Sequence, residues 1–126
     1  MAAGRFHCTA AIHKAVKKSA HRAGDACPTV LNVLALHPDY GVVVKGHPPL
    51  RKMRVKAPGL TVGKSGGYRL IYATARVDEV QHFVLLALYY KGDREDLDRD
   101  TYRALVVQAA TVLGNVFDYE WTIDGS

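Results

Sequence analysis

The sequence is poor in cysteine, in long apolar runs and, over one long stretch, in acidic residues. Its only cysteines, Cys8 and Cys27, have neither the C-x-x-C spacing of a metal or redox motif nor the density of a disulfide scaffold. We therefore expect reduced thiols, no structural metal and a cytoplasmic location. The longest apolar run, from Phe83 to Tyr90, is far shorter than the ~20 residues of a membrane-spanning helix, so we expect a soluble protein that has no membrane partner.

Acidic residues are missing from the middle of the chain. No Asp or Glu lies between Asp39 and Asp78. The same stretch contains eight cations: Lys45, Arg51, Lys52, Arg54, Lys56, Lys64, Arg69 and Arg76. An ordinary solvated surface mixes charges of both signs, so this run favours a surface that binds a polyanion.

The two parts of the chain have opposite charge. Residues 1–77 contain 13 Lys and Arg and 2 acids, whereas residues 78–126 contain 4 Lys and Arg and 10 acids. The resulting net charges, +11 and −6, predict a basic face suited to nucleic acid and a C-terminal region that partly compensates for it.

The N-terminal third predicts one strand and two helices. A short strand covers residues 5–9, and Thr9 caps a helix whose apolar residues recur at helical spacing as far as Ala23. A second helix runs from a cap at Asp25 to Leu36, where His37-Pro38 stops it. Together they predict a helical hairpin.

The remainder predicts three strands and a long helix. The strands cover residues 51–57, 68–76 and 83–90, and the last two form an antiparallel hairpin. The third strand is apolar at every position, as expected inside a sheet that is covered on both faces. A C-terminal amphipathic helix follows, with its cap at Asp98 or Asp100.

These elements predict an α+β fold. Residues 1–126 form one domain of order β-α-α-β-β-β-α, because 126 residues at 48% hydrophobic content suit a single core. The N-terminal helical hairpin covers one face of an antiparallel sheet, and the C-terminal helix completes the fold.

Strand alternation divides the first basic segment into two faces. Lys52, Arg54 and Lys56 point one way, whereas Met53 and Val55 point toward the core. Cations at roughly 7 Å intervals, twice the rise per strand residue, approximate the spacing of phosphates along a nucleic-acid strand.

Glycines surround Lys64 in the connection that follows. Gly63, Gly66 and Gly67 permit a tight turn in which backbone N–H groups and Lys64 meet a phosphate. A plain glycine-rich hairpin connection explains the same residues equally well.

From Leu50 to Leu97 the chain resembles a known family. The string GKSGGYRLIYA, preceded by LRKMRV and followed by LLALYYKGDREDL, is similar to the RelE/HigB toxins of bacterial type II toxin–antitoxin systems. The resemblance implies a small RelE-like fold and a toxin that inhibits translation by cutting mRNA in the ribosomal A site. It implies no metal or other cofactor, attack of the RNA 2′-OH on the adjacent phosphate, and a cognate antitoxin that carries a helix-turn-helix DNA-binding domain.

The resemblance also implies roles for individual residues. Lys52 and Arg54 occupy the strand of the family's basic pair, and Lys52 is the candidate general base, since neighbouring cations favour loss of its proton. Arg69, in the GGYR element, is assigned to the scissile phosphate. Lys91 takes the place of a cation that helps the leaving 5′-oxygen. These four residues are the predicted catalytic set.

Four further residues are predicted to bind RNA without taking part in the chemistry. Arg51, Lys56 and Lys64 are assigned to flanking phosphates or ribosomal RNA, and Tyr68 to stacking on a base. The chain departs from the pattern of the family it resembles after Lys91, where GDREDL offers neither the Tyr nor the His that some members carry.

Two alternatives remain open. One is a toxin of the ParE-like branch of the same fold, which inhibits DNA gyrase and does not need RNA-cleaving cations. The other is a catalytically weak member of the fold that only binds nucleic acid.

Overall fold

The structure is a computed structural model, and it describes residues 4–9, 12, 30–56, 61–62, 67–77 and 79–116. Within these residues it contains six strands and two helices: β1 (Gly4–Cys8), α1 (Val30–Leu36), β2 (Val42–Val44), β3 (His47–Lys56), β4 (Thr61–Val62), β5 (Tyr68–Val77), β6 (Val80–Tyr90) and α2 (Arg99–Val116). The fold is α+β, as predicted.

The strands form one mixed sheet. Five of them follow the order β1-β6-β5-β3-β2, and β4 pairs with β3 beside this path. The predicted hairpin of β5 and β6 is confirmed, with pairing from Tyr68 opposite Tyr90 to Val77 opposite Val80. The prediction of a purely antiparallel sheet is wrong at one edge, where β1 runs parallel to β6. Apolar alternation identifies strands, but it carries no information about their direction.

Two short strands, β2 and β4, occur where the sequence predicted none. Residues 42–44 form β2, and β3 begins at His47, ahead of the predicted start at Arg51. Pro48 and Pro49 lie in this early part of β3, beside an irregularity in its pairing with β2. Proline cannot donate to a sheet ladder, so a proline pair obscures a strand at the sequence level.

The predicted N-terminal helical hairpin lies mostly outside the described residues. Ile12 is helical and fully buried, and its N–H donates to the Thr9 Oγ1 at 3.4 Å, as expected of the predicted cap. The second helix is described as α1, which ends at Leu36 directly before His37-Pro38. Proline disfavours helical geometry in the residue before it, which explains this end point.

One of the two predicted caps of the C-terminal helix is confirmed. Asp98 precedes α2, and its Oδ1 accepts a hydrogen bond from the Thr101 N–H at 2.7 Å. This bond satisfies one of the helix's free N-terminal donors. In the described part of the chain, no helix is both long enough and apolar enough to cross a bilayer.

Each face of the sheet carries its own apolar cluster. One face packs against α2, and its fully buried members include Leu50, Ile71 and Val84. The other packs against α1 and Ile12, and includes Tyr72 and Phe83. Because β5 and β6 contribute to both clusters, they form the interior of the fold.

Tyr72 also fastens the loop that leads from α1 to the sheet. Its buried hydroxyl accepts a hydrogen bond from the Gly41 N–H at 2.8 Å and donates to the Pro38 carbonyl at 3.0 Å. A Cβ on Gly41 would lie 2.7 Å from the Tyr72 ring, so any larger residue would displace this contact.

Two histidines stack at the parallel edge of the sheet. The His7 Nε2 lies 3.3 Å from the His82 Nδ1, and the ring centroids are 5.6 Å apart. Burial, followed by the nearby positive charge of Arg5, lowers the pKa of His82. Burial also lowers the pKa of His7, and the adjoining His82 and Arg5 add to the effect. The folded protein therefore favours two neutral rings.

This pair predicts a loss of stability in mild acid. Below the ordinary histidine pKa of about 6.5, the unfolded chain binds protons that the folded pair resists, so the free energy of unfolding should fall as pH falls. Urea unfolding between pH 7.5 and 5.5 measures this slope. We expect a shallower slope in His82→Gln than in the control His37→Gln, which replaces an exposed histidine outside this pair. Equal slopes in all three proteins would contradict the assignment.

Candidate nucleic-acid interface

Four basic residues share one face of the sheet. Lys52, Arg54 and Lys56 alternate along β3 with the buried Met53 and Val55, as the sequence predicted. Arg69 of β5 joins them, because the strand register pairs it directly with Arg54. We call these four residues, Lys52, Arg54, Lys56 and Arg69, the cationic face.

The Arg54–Arg69 pair is the unusual part of this arrangement. Directly opposed residues in an antiparallel pair have Cβ atoms about 5 Å apart, and like charges in that position destabilise a sheet. Arg54 is exposed, and Arg69 is partly buried, with its Nη1 donating to the Tyr68 carbonyl at 3.2 Å. The two guanidinium groups thus provide planar hydrogen-bond donors suited to phosphate oxygens.

The same sheet face becomes apolar under α2. In β5, Ile71 follows Arg69 on this face and belongs to the cluster that packs against the helix. Lys52, paired with Ile71, therefore lies at the boundary between the cationic face and the core. The helix leaves the cationic end of the face open to solvent at Arg54 and Lys56, both of which are exposed.

Lys91 lies at the end of β6. Its backbone N–H donates to the Gly67 carbonyl at 2.8 Å, which extends the pairing of β5 and β6 by one residue. The side chain is exposed. Lys91 is thus held at the same end of the hairpin as Arg69, two residues beyond the register partner of Arg69, Tyr89.

Other predicted RNA-binding residues are not on the cationic face. Arg51 pairs with Tyr72 on the opposite face, where its Nη1 donates to the carbonyls of Gly41 at 2.6 Å and Asp39 at 3.3 Å. Tyr68 is also on that side and packs against Tyr90, with ring centroids 5.1 Å apart. The structure therefore does not bring these two residues together with Arg54 and Arg69. Lys64 lies outside the described residues.

An acidic residue reaches the cationic face from the loop between β6 and α2. The Asp96 Oδ1 accepts hydrogen bonds from the Lys52 Nζ at 3.1 Å, from the Leu97 N–H at 2.9 Å and from the Tyr102 hydroxyl. We call Lys52, Asp96 and Tyr102 the Lys52–Asp96–Tyr102 cluster. It connects the loop, β3 and α2 at the boundary of the cationic face.

The pKa values of Asp96 and Tyr102 are shifted in opposite directions. Burial alone would raise the pKa of Asp96, but the hydrogen bonds from Tyr102, Lys52 and Leu97 outweigh it and lower the pKa. Burial, and then the hydrogen bond to Asp96, strongly raise the pKa of Tyr102. At neutral pH Asp96 is therefore an ionised carboxylate, and Tyr102 keeps its proton and donates a hydrogen bond to it.

A second group of cations lines a cleft that His47 connects to Tyr102. The His47 ring packs against the Tyr102 ring with centroids 5.1 Å apart. His47 also borders a cleft of about 660 Å³, which is lined by Lys45, Gly46, His47, Pro48, Arg99, Arg103, Val106 and Val107. The cleft therefore brings together three cations, Lys45, Arg99 and Arg103.

The cluster and the cleft contain residues that the sequence analysis did not assign to the site. Asp96 and Tyr102 are close in sequence, but each lies more than 40 positions from Lys52, and no local pattern joins them to it. Among the described residues, no group of three or more His, Cys, Asp or Glu side chains is arranged to hold a metal ion.

A comparison of the sequence with models of known protein families finds no match. The resemblance to the RelE/HigB toxins therefore stays a prediction from the quoted motifs.

The opposed arginines predict that the cationic face lowers stability. Replacing Arg54 with Thr, which suits strands well, should raise the free energy of unfolding by about 0.2 to 1 kcal/mol at low salt. The gain should shrink in high salt, because salt screens the repulsion that is removed. Lys56→Thr is the matched control, since Lys56 pairs with Thr61 rather than with a cation. Urea unfolding that shows Arg54→Thr to be less stable than the wild type would contradict this interpretation.

Proposed function

We propose that this chain is the toxin of a type II toxin–antitoxin system and acts as a ribosome-dependent mRNA endoribonuclease. The proposal includes the finer architecture of that family, a RelE-like domain with an N-terminal helical hairpin. It also includes the cytoplasm as the place of action. The single observation that supports it most is the direct pairing of Arg54 with Arg69 beside Lys52 on one sheet face.

The pairing supports an RNA-directed function because it places two guanidinium groups where one anion can contact both. Like charges directly opposite each other disfavour a sheet. A phosphodiester between them would accept hydrogen bonds from both and convert the repulsion into attraction. The acid-free composition of residues 40–77 extends the same positive potential along the sheet.

The proposed reaction is attack of an RNA 2′-oxygen on its neighbouring phosphorus. The 2′-hydroxyl loses its proton to a base, the new O–P bond forms, and the P–O5′ bond breaks. The products are a 2′,3′-cyclic phosphate and a 5′-hydroxyl, once the 5′-oxygen has taken up a proton. The protein aligns the groups and stabilises the negative charge on the phosphate oxygens, which is a task suited to Arg54 and Arg69.

Lys52 and Lys91 have the remaining assigned roles. In the free protein the Lys52 Nζ lies 3.1 Å from the Asp96 Oδ1, so the proposed general base meets RNA only after that ion pair has opened. Lys91, exposed at the end of β6, is proposed to stabilise the leaving 5′-oxygen. Lys56 and Lys64 are proposed to hold flanking phosphates, and Arg51 and Tyr68 would contact RNA only around the sheet edge.

The proposed partners follow from the same charge distribution. They are mRNA in the ribosomal A site, the ribosome itself, and a cognate antitoxin with a helix-turn-helix domain. An acidic segment of the antitoxin would neutralise the cationic face and so keep the toxin silent.

A second candidate is a member of the same fold that binds nucleic acid without cutting it. The Lys52–Asp96 ion pair favours this candidate, because it ties up the only predicted general base. The ParE-like gyrase inhibitor remains the third candidate, and the experiment below separates it from both.

Arg69 provides the test of the proposed activity. Expression of the wild type without an antitoxin should arrest growth and create new 5′ ends within translated messages, as mapped by primer extension. Arg69→Ala should reduce these ends by roughly 10²-fold or more, the scale for loss of a transition-state charge partner.

The control for this test is Arg76→Ala. Arg76 is an exposed arginine on the same strand, seven residues from Arg69 and opposite Gln81, so its loss changes the net charge equally away from the cationic face. It should leave cleavage unchanged. Growth arrest without new 5′ ends, accompanied by gyrase-dependent DNA breaks, would overturn the nuclease proposal in favour of the ParE-like candidate. Growth without arrest or new ends would favour the member that only binds.

A further inference from the structure

One carboxylate oxygen beside the cationic face is surrounded by donors. The Asp96 Oδ1 accepts from the Lys52 Nζ at 3.1 Å, from the Leu97 N–H at 2.9 Å and from the Tyr102 hydroxyl. Three donors on one anionic oxygen form the kind of site that also receives a non-bridging phosphate oxygen.

Two of these donors belong to the framework of the fold rather than to the loop. Lys52 lies on β3, and Tyr102 lies in the first turns of α2. Tyr102 is 4% exposed and belongs to the apolar cluster under α2, so its ring is fixed by packing while its hydroxyl reaches the oxygen. These two donors would remain in place if Asp96 left.

Asp96, by contrast, is easy to displace. Its side chain is 57% exposed, and that of Lys52 is 29% exposed, so their ion pair is in contact with water. Such pairs contribute little to stability, because solvent screens them. A phosphate at this position would also be within reach of Arg54, the next residue on this face of β3.

We propose that Lys52 and Tyr102 form a phosphate subsite for RNA, which the Asp96 carboxylate occupies in the free protein. The proposal rests on the proposed function in that it takes an RNA backbone as the ligand. Binding then exchanges one anion for another at the same two donors, and in this inference Lys52 binds phosphate instead of acting as the general base.

This subsite gives Tyr102 a role that the sequence analysis did not find. The segment after Lys91 offers no aromatic or histidine side chain, yet the fold brings a tyrosine hydroxyl to the edge of the cationic face. Because burial and Asp96 raise its pKa, Tyr102 keeps its proton and acts as a donor. It is a binding residue in this proposal, not a proton-transfer group.

The experiment measures the affinity of a short single-stranded RNA whose 2′-hydroxyls are methylated, so that no cleavage interferes. Asp96→Asn removes the charge of the occupant, and Asp93→Asn removes an equal charge from an exposed residue of the same loop. We expect Asp96→Asn to bind about two- to fivefold more tightly than Asp93→Asn, the range for loss of a competing exposed ion pair. Both variants share the general effect of one lost negative charge.

The same comparison in two further backgrounds localises the effect. In the Lys52→Met background, Asp96→Asn should no longer raise the RNA affinity more than Asp93→Asn does. In the Tyr102→Phe background, which keeps the packed ring, this difference in affinity should shrink. Denaturant unfolding confirms that each variant is folded. An equal gain for the two aspartate variants, or an excess that persists without Lys52, would overturn the subsite.

The outcomes also separate this inference from the proposed function. A gain that depends on Lys52, in a protein that cuts no message on ribosomes, supports the subsite and refutes the nuclease. Cleavage on ribosomes, together with identical RNA affinities for the two aspartate variants, supports the nuclease and refutes the subsite. If no variant binds the RNA, the subsite is overturned, and primer extension still decides the activity.

Discussion

The register that places Arg54 directly opposite Arg69 is the constraint on which the rest of this structure depends. The register of β3 and β5 places these arginines side by side, and the same register continues inward to pair Lys52 with Ile71 and Leu50 with Ala73. Leu50, Ile71 and Ala73 are buried in the cluster under α2, and they hold the strands in a register that the charged pair alone would oppose. The stability of the core is thus what allows a cationic face to exist.

The loop between β6 and α2 adapts the chain to that constraint. It carries acids into a region where the preceding strands have none, and Asp96 meets Lys52 at the boundary between charge and core. Tyr102 links this contact to α2, so the start of the helix, the loop and the sheet share one small network. The network pairs the charge of Lys52 with that of Asp96 and leaves Arg54 exposed. The cationic face is therefore ion-paired at one end and open to solvent at the other.

The sequence predicted the elements of the site better than their relations in space. Alternation correctly placed Lys52, Arg54 and Lys56 opposite the buried Met53 and Val55, because a strand with one buried face shows a period of two. The same rule should have separated Arg51 from Lys52, since adjacent strand residues point to opposite faces. The pairing of Arg54 with Arg69 and the contact of Asp96 with Lys52 could not be predicted, because each depends on strand register or on a loop path.

The direction of β1 and the existence of β2 show the same limit for the fold. Both strands are short, and the pairing of each depends on tertiary contacts rather than on its own residues. The long helix and the β5–β6 hairpin, in contrast, follow from strong local periodicity and a short connection.

The central claim is that the cationic face promotes cleavage of RNA by the RNA's own 2′-hydroxyl. Analysis of the RNA ends produced by the purified chain on programmed ribosomes tests it most directly. The account predicts a 2′,3′-cyclic phosphate upstream of the cut and a 5′-hydroxyl downstream. A 5′-phosphate at the cut, or an intact message, would contradict it.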